Sequence, residues 1–218
     1  MKINREIPVD RACLLGCGVI TGAGTAINTA SVRVGDYVAV FGCGGVGLNG
    51  IQGAAIAGAR KVIGIDLQPG KLELAKKFGA TDVINPAEED LNERILEITN
   101  GYGVHHAFEM IGLLPTMKQA FSILGKDGTA YVIGMQKPGT TLDIELFNDV
   151  LMNRKAVKGV YMGSSNPRID IPLYADLYVQ GRLNLDDLVS KRIKLEDINE
   201  TYAELGGGQV ARAVITFD

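Results

Sequence analysis

The sequence predicts an α/β fold, a doubly wound parallel sheet with helices on both faces. Three observations carry this. Residues 37–41, Tyr-Val-Ala-Val-Phe, form a continuous apolar run, which suits a strand covered on both faces rather than on one. Apolar runs of strand length alternate four or five times with helical patterns across short connections, the rhythm of right-handed βαβ crossovers. Glycine occupies 28 of 218 positions, nearly twice the roughly 7% of an average protein, as tight strand–helix turns and close backbone approach require.

The elements follow in order. Residues 7–15 read as a short helix after Pro8, and residues 21–30 as a helix of small residues. Gly35-Asp36 turns the chain into the strand at 37–41. Glycine-rich residues 42–47 lead to a small apolar helix over 48–57, closed by Gly58, and a second strand covers 61–66. Pro69 opens a helix through Lys77, which Phe78-Gly79 stops. A short strand at 82–85 ends at Pro86, and an amphipathic helix covers 89–99, apolar at Leu91, Ile95, Leu96 and Ile98. A strand at 106–110, a helix at 116–124 and a strand at 129–133 complete the alternation. Beyond about residue 140 the rhythm breaks. Segments 142–152 and 157–162, helices over 172–180 and 195–205, and a last strand at 212–217 do not continue it. Residues 163–167 are the most loop-like stretch, so 164–218 read as a separate layer or part of another domain.

Composition narrows the function classes. Apolar residues make up 46% and charged residues 22%, an ordinary globular balance. Lysine and arginine number 22 against 25 acids, so no basic excess supports nucleic-acid binding. No apolar stretch reaches the length of a membrane span and no signal peptide is visible at the start. Three cysteines, an odd number, argue against a disulfide framework and for a cytoplasmic location.

Gly42-Cys43-Gly44-Gly45-Val46-Gly47 matches G-x-G-x-x-G. The pattern alone is weak in a chain this rich in glycine. Its place, directly after a buried strand and directly before a helix, gives it meaning. The first glycine permits the tight turn, the second lets backbone approach a pyrophosphate, and the third lets the helix pack close to the strand. The helix start then offers unpaired N–H groups and a positive dipole end to that pyrophosphate. Asp66 ends the next strand, 19 residues after Gly47, where an acid would hold ribose hydroxyls. A 2′-phosphate ~4 Å from it would meet repulsion of about 1 kcal/mol per charge pair in water, and several times more at an effective dielectric near 20. Leu67 and Gln68 supply no offsetting arginine, so NAD is favoured over NADP. Lys71 can add a donor to the ribose. Two other readings stand beside this one. The glycines can serve packing alone, with Asp66 capping the helix at Pro69; or the acid can belong to a methyltransferase, which also carries one after its second strand.

Groups able to do chemistry are few. His105 and His106 are the only histidines and read as structural residues at a strand start. Cys43 answers the need for a small side chain in the glycine turn, and Cys13 reads as core. Cys17, between Gly16 and Gly18, suits a soft metal ligand or a nucleophile. No other Cys or His pair has ligand spacing, so this chain alone is not expected to hold a catalytic metal.

The run Cys13-Leu14-Leu15-Gly16-Cys17-Gly18, then Thr21-Gly22-Ala23-Gly24-Thr25-Ala26, Val34-Gly35-Asp36, residues 42–47, Asp66, Phe78-Gly79-Ala80-Thr81, Phe108-Glu109-Met110-Ile111-Gly112 and the terminal Arg212-Ala213-Val214-Ile215-Thr216-Phe217 occur in one order and spacing. Together they closely resemble the zinc-dependent medium-chain alcohol dehydrogenases, the class that includes the glutathione-dependent formaldehyde dehydrogenases. Ser165-Asn166-Pro167 and the chain start resemble an actinobacterial branch. The resemblance covers essentially the whole chain.

It implies hydride exchange between an alcohol or aldehyde and NAD on a Rossmann domain, with a catalytic zinc stabilising the alkoxide. It implies Cys17 as one zinc ligand, and Thr21 and Val46 beside the nicotinamide. Gly42, Gly44, Gly45 and Gly47 would form the pyrophosphate turn, and Asp66 and Lys71 the adenosine ribose contacts. Ile111 and Ile133 would line the adenine and nicotinamide slots, and the guanidinium fork of Arg212 would contact the pyrophosphate. Leu113 departs from relatives that carry a polar residue near the adenine. Residues 19–162 would be the NAD-binding domain, and 1–18 and 163–218 remnants of a second, catalytic domain. The N-terminal part of that domain, with the other zinc ligands and the proton relay, is not in this sequence. The chain is therefore expected to be truncated and catalytically incomplete, with zinc belonging to the full-length enzyme. The alternative is a non-catalytic NAD-binding or dimerisation module. The expected partners are a small alcohol or aldehyde and a second copy, paired through a sheet edge running from Val157 to Met162.

Overall fold

The computed structural model describes residues 2–206 and 212–217. The first strand, β1 (Tyr37–Phe41), is buried at all five positions. Val38 and Val40 enter one apolar cluster and Tyr37, Ala39 and Phe41 the other. Alternation therefore persists along the strand, but both faces are dry, which is why its sequence shows no polar period.

Five further strands join it: β2 (Lys61–Ile65), β3 (Asp82–Ile84), β4 (Val104–Glu109), β5 (Leu124–Val132) and β6 (Ala156–Gly159). All neighbours are parallel, in the order β3-β2-β1-β4-β5-β6. The order reverses between β1 and β4, and such a switch point opens a crevice at the carboxyl ends of the strands. The doubly wound fold expected from the alternation is the fold found.

The helices are α1 (Val9–Ala12), α2 (Gly18–Gly24), α3 (Gly45–Ile56), α4 (Pro69–Lys77), α5 (Leu91–Ile98), α6 (Leu114–Ser122), α7 (Pro167–Val179) and α8 (Ile198–Gly206). One face of the sheet packs Val19 and Ile20 of α2, Leu48 and Ile51 of α3, and Leu72 of α4. The other packs Leu91 and Ile95 of α5 with Met117 and Phe121 of α6. Helices α2 and α3 meet backbone to backbone. A Cβ on Gly22 would stand 2.3 Å from the Val46 carbonyl oxygen, and one on Gly53 2.7 Å from the Ala23 Cα.

Several boundaries differ from the sequence reading. Helix α3 starts at Gly45, three residues early, because glycine forms its first turn. Helix α7 starts at Pro167, where the Asn166 side chain accepts a hydrogen bond from the Arg168 amide, and a proline suits a first helical position. The helix expected over 7–15 breaks at Cys13 into a 3₁₀ turn. That break turns Cys13 outward, so it is exposed rather than core. β5 begins at Leu124, five residues early, across a register shift opposite β4 and a positive φ at Asp127. A three-residue strand, β7 (Lys191–Ile193), was not anticipated; it pairs with β8 (Ala213–Ile215) in a separate two-stranded sheet.

The C-terminal segment docks on the first face of the sheet. Tyr174, Ala175 and Leu177 of α7, with Leu183, Leu185 and Leu188 beyond it, belong to the same cluster as Val38 and Val40. Among the described residues no single helix is long and apolar enough to cross a membrane.

Candidate functional site

The site begins with the turn that leaves β1. Gly42 has φ +90°, and its amide donates to the Ile65 carbonyl at 2.8 Å. A Cβ on Gly47 would lie 1.7 Å from the Gly42 carbonyl oxygen, so only glycine lets α3 start this close to the strand end. A Cβ on Gly45 would lie 2.6 Å from the Arg212 guanidinium carbon. Gly44 is different. A Cβ there meets nothing within 4 Å, and its backbone, φ −81° and ψ −172°, suits any residue. Helix α3 carries no side-chain cap at its start. Its first-turn amides have no intrahelical acceptor, and Gly44, Gly45, Val46 and Gly47 all border open space.

Asp66 locks this turn to β2. Its Oδ2 accepts from the Cys43 amide at 2.9 Å and its Oδ1 from the Gln68 amide at 3.0 Å. Cys43 points inward and is buried. Burial, with the Asp66 charge second, pushes its thiol up to about 12, so it is a packing residue and not a nucleophile.

A cleft of about 720 Å³ opens over the turn. Nine of the twelve residues singled out from the sequence line it: Gly42, Gly44, Gly45, Val46, Gly47, Asp66, Lys71, Ile111 and Arg212. The other three do not. The Thr21 hydroxyl lies 3.9 Å from the Met162 sulfur. Ile133 is half-buried against the apolar cluster of the first face. Cys17 is exposed at the start of α2. Among the described residues no three His, Cys, Asp or Glu side chains gather in a way that could hold a metal. The histidines are far from the cleft, at the amino end of β4. The His105 Nδ1 accepts from the Tyr37 amide at 3.0 Å. His106 bridges Asp36 and the Tyr131 hydroxyl, at 3.1 Å each, and burial lowers its pKa.

The sequence reading missed part of the lining. Leu67, Gln68, Pro86, Ala87, Met110, Thr116 and Gln119 also face the cleft. Pro86 and Ala87 follow β3 closely and border the crevice from the carboxyl edge of the sheet. It also missed Glu109, the last residue of β4, which is fully buried. Its Oε1 accepts from the Ile111 amide at 3.0 Å, the Gly112 amide at 2.8 Å and the Thr116 hydroxyl at 2.8 Å. Its Oε2 accepts from the Gln136 amide nitrogen at 3.2 Å. The available signal was one acid closing a strand whose preceding residues, Ala107 and Phe108, are apolar and buried.

Comparison with known proteins places these features in a family context. Residues 45–179 match the family of zinc-binding dehydrogenases. Over its whole length the chain is 40% identical to alcohol dehydrogenase-like 2 of Arabidopsis thaliana, of which it covers 57%. It superposes on benzyl alcohol dehydrogenase from Acinetobacter calcoaceticus with a TM-score of 0.94 and 35% identity, covering all of this chain and 59% of that one. A more distant neighbour, a zinc-binding dehydrogenase of Sinorhizobium meliloti solved with NADP bound, gives a TM-score of 0.88 at 25% identity, covering all of this chain and 62% of that one. The chain thus spans just over half the length of the curated relatives it matches.

Two alanine substitutions separate packing from open space in the glycine turn. Gly47→Ala is expected to cost at least the ~1–3 kcal/mol typical of overpacking. Gly44→Ala is expected to stay within about 0.5 kcal/mol of the unaltered chain. Urea unfolding midpoints decide; equal losses at the two positions would contradict this geometry.

Proposed function

The chain belongs to the zinc-binding dehydrogenase family, and from that premise we propose that it is the cofactor-binding portion of an NAD-dependent alcohol dehydrogenase, an oxidoreductase interconverting an alcohol and an aldehyde. The observation that carries this reading is the uncapped start of α3 beneath the open Gly44, with the Asp66 carboxylate one strand away. In this reading a diphosphate lies on the amides of Gly45, Val46 and Gly47, within reach of Arg212. Asp66 holds the adenosine ribose, with Lys71 beside it. Two of its roughly four acceptor positions are taken by the Cys43 and Gln68 amides, and the rest suit hydroxyl donors. Ile111 and Leu113, both exposed at the cleft, form an apolar slot for the adenine. Thr21, Val46 and Ile133 belong to the nicotinamide side. When bound, the dinucleotide supplies the hydride acceptor or donor at its nicotinamide ring.

The cofactor choice follows from charge. The NADP-bound neighbour indicates that the fold tolerates a 2′-phosphate. In this chain Asp66 would face it, at a cost of about 1 kcal/mol in water and about 4 kcal/mol at an effective dielectric of 20. NAD is therefore preferred.

Zinc is a different matter. Cys17 takes the place of one ligand, but the described residues do not make a metal site around it. No catalytic step is assigned to a metal held by this chain. Residues 19–162 act as the cofactor domain, and 1–18 with 163–218 belong with a catalytic domain. A second copy pairs along β6, whose four residues are all exposed at the sheet edge. Leu146, Phe147, Leu151 and Met152 in the π-helical turn before it are exposed as well, the kind of apolar edge that is covered by association.

Two measurements test this reading. Calorimetric titration should show NADH binding, with Asp66→Asn narrowing the NADH-over-NADPH preference about tenfold; an unchanged ratio would leave Asp66 as a tie for the turn only. Sedimentation should find a dimer at micromolar concentration, and a monomer there would remove the β6 interface.

A further inference from the structure

We propose that Glu109 is a positioning residue of the cleft, whose carboxylate fixes the far wall relative to the glycine turn. This rests on the dinucleotide reading above and goes further, because nothing in that reading requires a buried acid. β4 lies next to β1 across the switch point, so the segment leaving β4 faces the glycine turn. Glu109 pairs with Phe41, the residue just before that turn.

Four donors converge on one carboxylate. Two of them, the Ile111 and Gly112 amides, belong to the segment between β4 and α6, and the third, the Thr116 hydroxyl, which also lies 2.8 Å from the Leu113 carbonyl, belongs to the first turn of α6. The fourth, Gln136, belongs to the segment leaving β5. The Glu109 carbonyl adds two more ties to that second segment, accepting from the Ile133 and Gly134 amides at 3.0 and 2.8 Å. The two segments touch through glycine. A Cβ on Gly134 would stand 2.1 Å from the Gly112 nitrogen, and one on Gly112 2.7 Å from the Met135 oxygen. Gly112 also has φ +91°. Such close backbone contact needs an internal anchor, and Glu109 provides it.

The anchor reaches the cleft through Ile111. Its Cγ1 would be 2.7 Å from a Cβ on Gly42, so Ile111 touches the glycine turn directly. Ile111 and Thr116 both line the cleft, while Glu109 itself is fully buried and does not. Glu109 therefore acts through them. A carboxylate suits this place because all four side-chain partners donate and it only accepts. Glutamine keeps one oxygen for three of those donors, and the Gln136 amide can turn over to offer its own oxygen to the new NH₂. Methionine keeps the length and removes the strong acceptors.

The test is calorimetric titration of the full chain with ADP-ribose. Glu109→Met should weaken binding about tenfold or more, and Glu109→Gln should stay within about threefold of the unaltered chain. Gln136→Leu cuts only the Oε2 tie, at a half-buried residue outside the cleft. It should lower the thermal midpoint and also weaken ADP-ribose binding about threefold at a temperature where the chain is fully folded, and the loss of affinity in the folded chain is what a merely structural role would not produce. If Glu109→Met fails to fold, Gln136→Leu and Glu109→Gln decide. Unaltered affinity in Gln136→Leu, or a Glu109→Gln loss of tenfold or more, overturns the proposal. If the unaltered chain binds no ADP-ribose, the dinucleotide reading fails and this inference fails with it. Normal binding by the unaltered chain together with normal binding by Glu109→Met sinks the positioning role alone.

Discussion

No side chain fits between the Gly42 carbonyl and the first turn of α3, and the geometry of the cleft follows from that exclusion. A single added carbon at Gly47 would sit 1.7 Å from the carbonyl oxygen, far inside van der Waals contact. The helix therefore begins almost on top of the strand end, with its uncapped first turn lining the crevice where the strand order reverses. A longer turn would carry those amides away from the acid on β2 and leave two unrelated features on one surface.

Two carboxylates brace this arrangement, one on each side of β1. Asp66, just past β2, accepts from the amide of Cys43 inside the turn. Glu109, ending β4, accepts from the amides that begin the opposite wall. Both spend acceptor capacity on backbone, and hydrogen bonds to charged groups are worth more than neutral ones, about 1.5–3 kcal/mol. The difference lies in exposure. Asp66 lines the cleft and can also meet a ligand, whereas Glu109 is sealed beneath it. The same chemical group thus serves contact on one side and shape on the other.

Much of the sheet was legible in the sequence because its central strands β1 and β2 are dry on both faces. The run at 37–41 and the helix at Pro69–Lys77 were read to the residue. The glycine turn and Asp66 were legible because each of their positions answers a separate steric or electrostatic demand. Glu109 was not, since a lone acid at a strand end carries no period and its partners are backbone amides, which any sequence supplies. β7 was missed because three residues give no pattern and its partner β8 lies about twenty positions away. Cys13 looked apolar by its neighbours, but the chain tightens into a 3₁₀ turn there and rotates it outward. Thr21 and Ile133 entered through family resemblance rather than local pattern, and Cys17 through its place between two glycines. They lie outside the cleft lining.

The central claim is that a diphosphate rests on the first turn of α3 while Asp66 holds the adjoining sugar. Amide-resolved NMR of the chain titrated with ADP-ribose tests it most directly. The largest shifts should fall on the amides of residues 44–47 and on those tied to Asp66, Cys43 and Gln68, with little change at the amino end of β4. Saturable binding whose shifts cluster elsewhere, with residues 44–47 unmoved, would contradict the account.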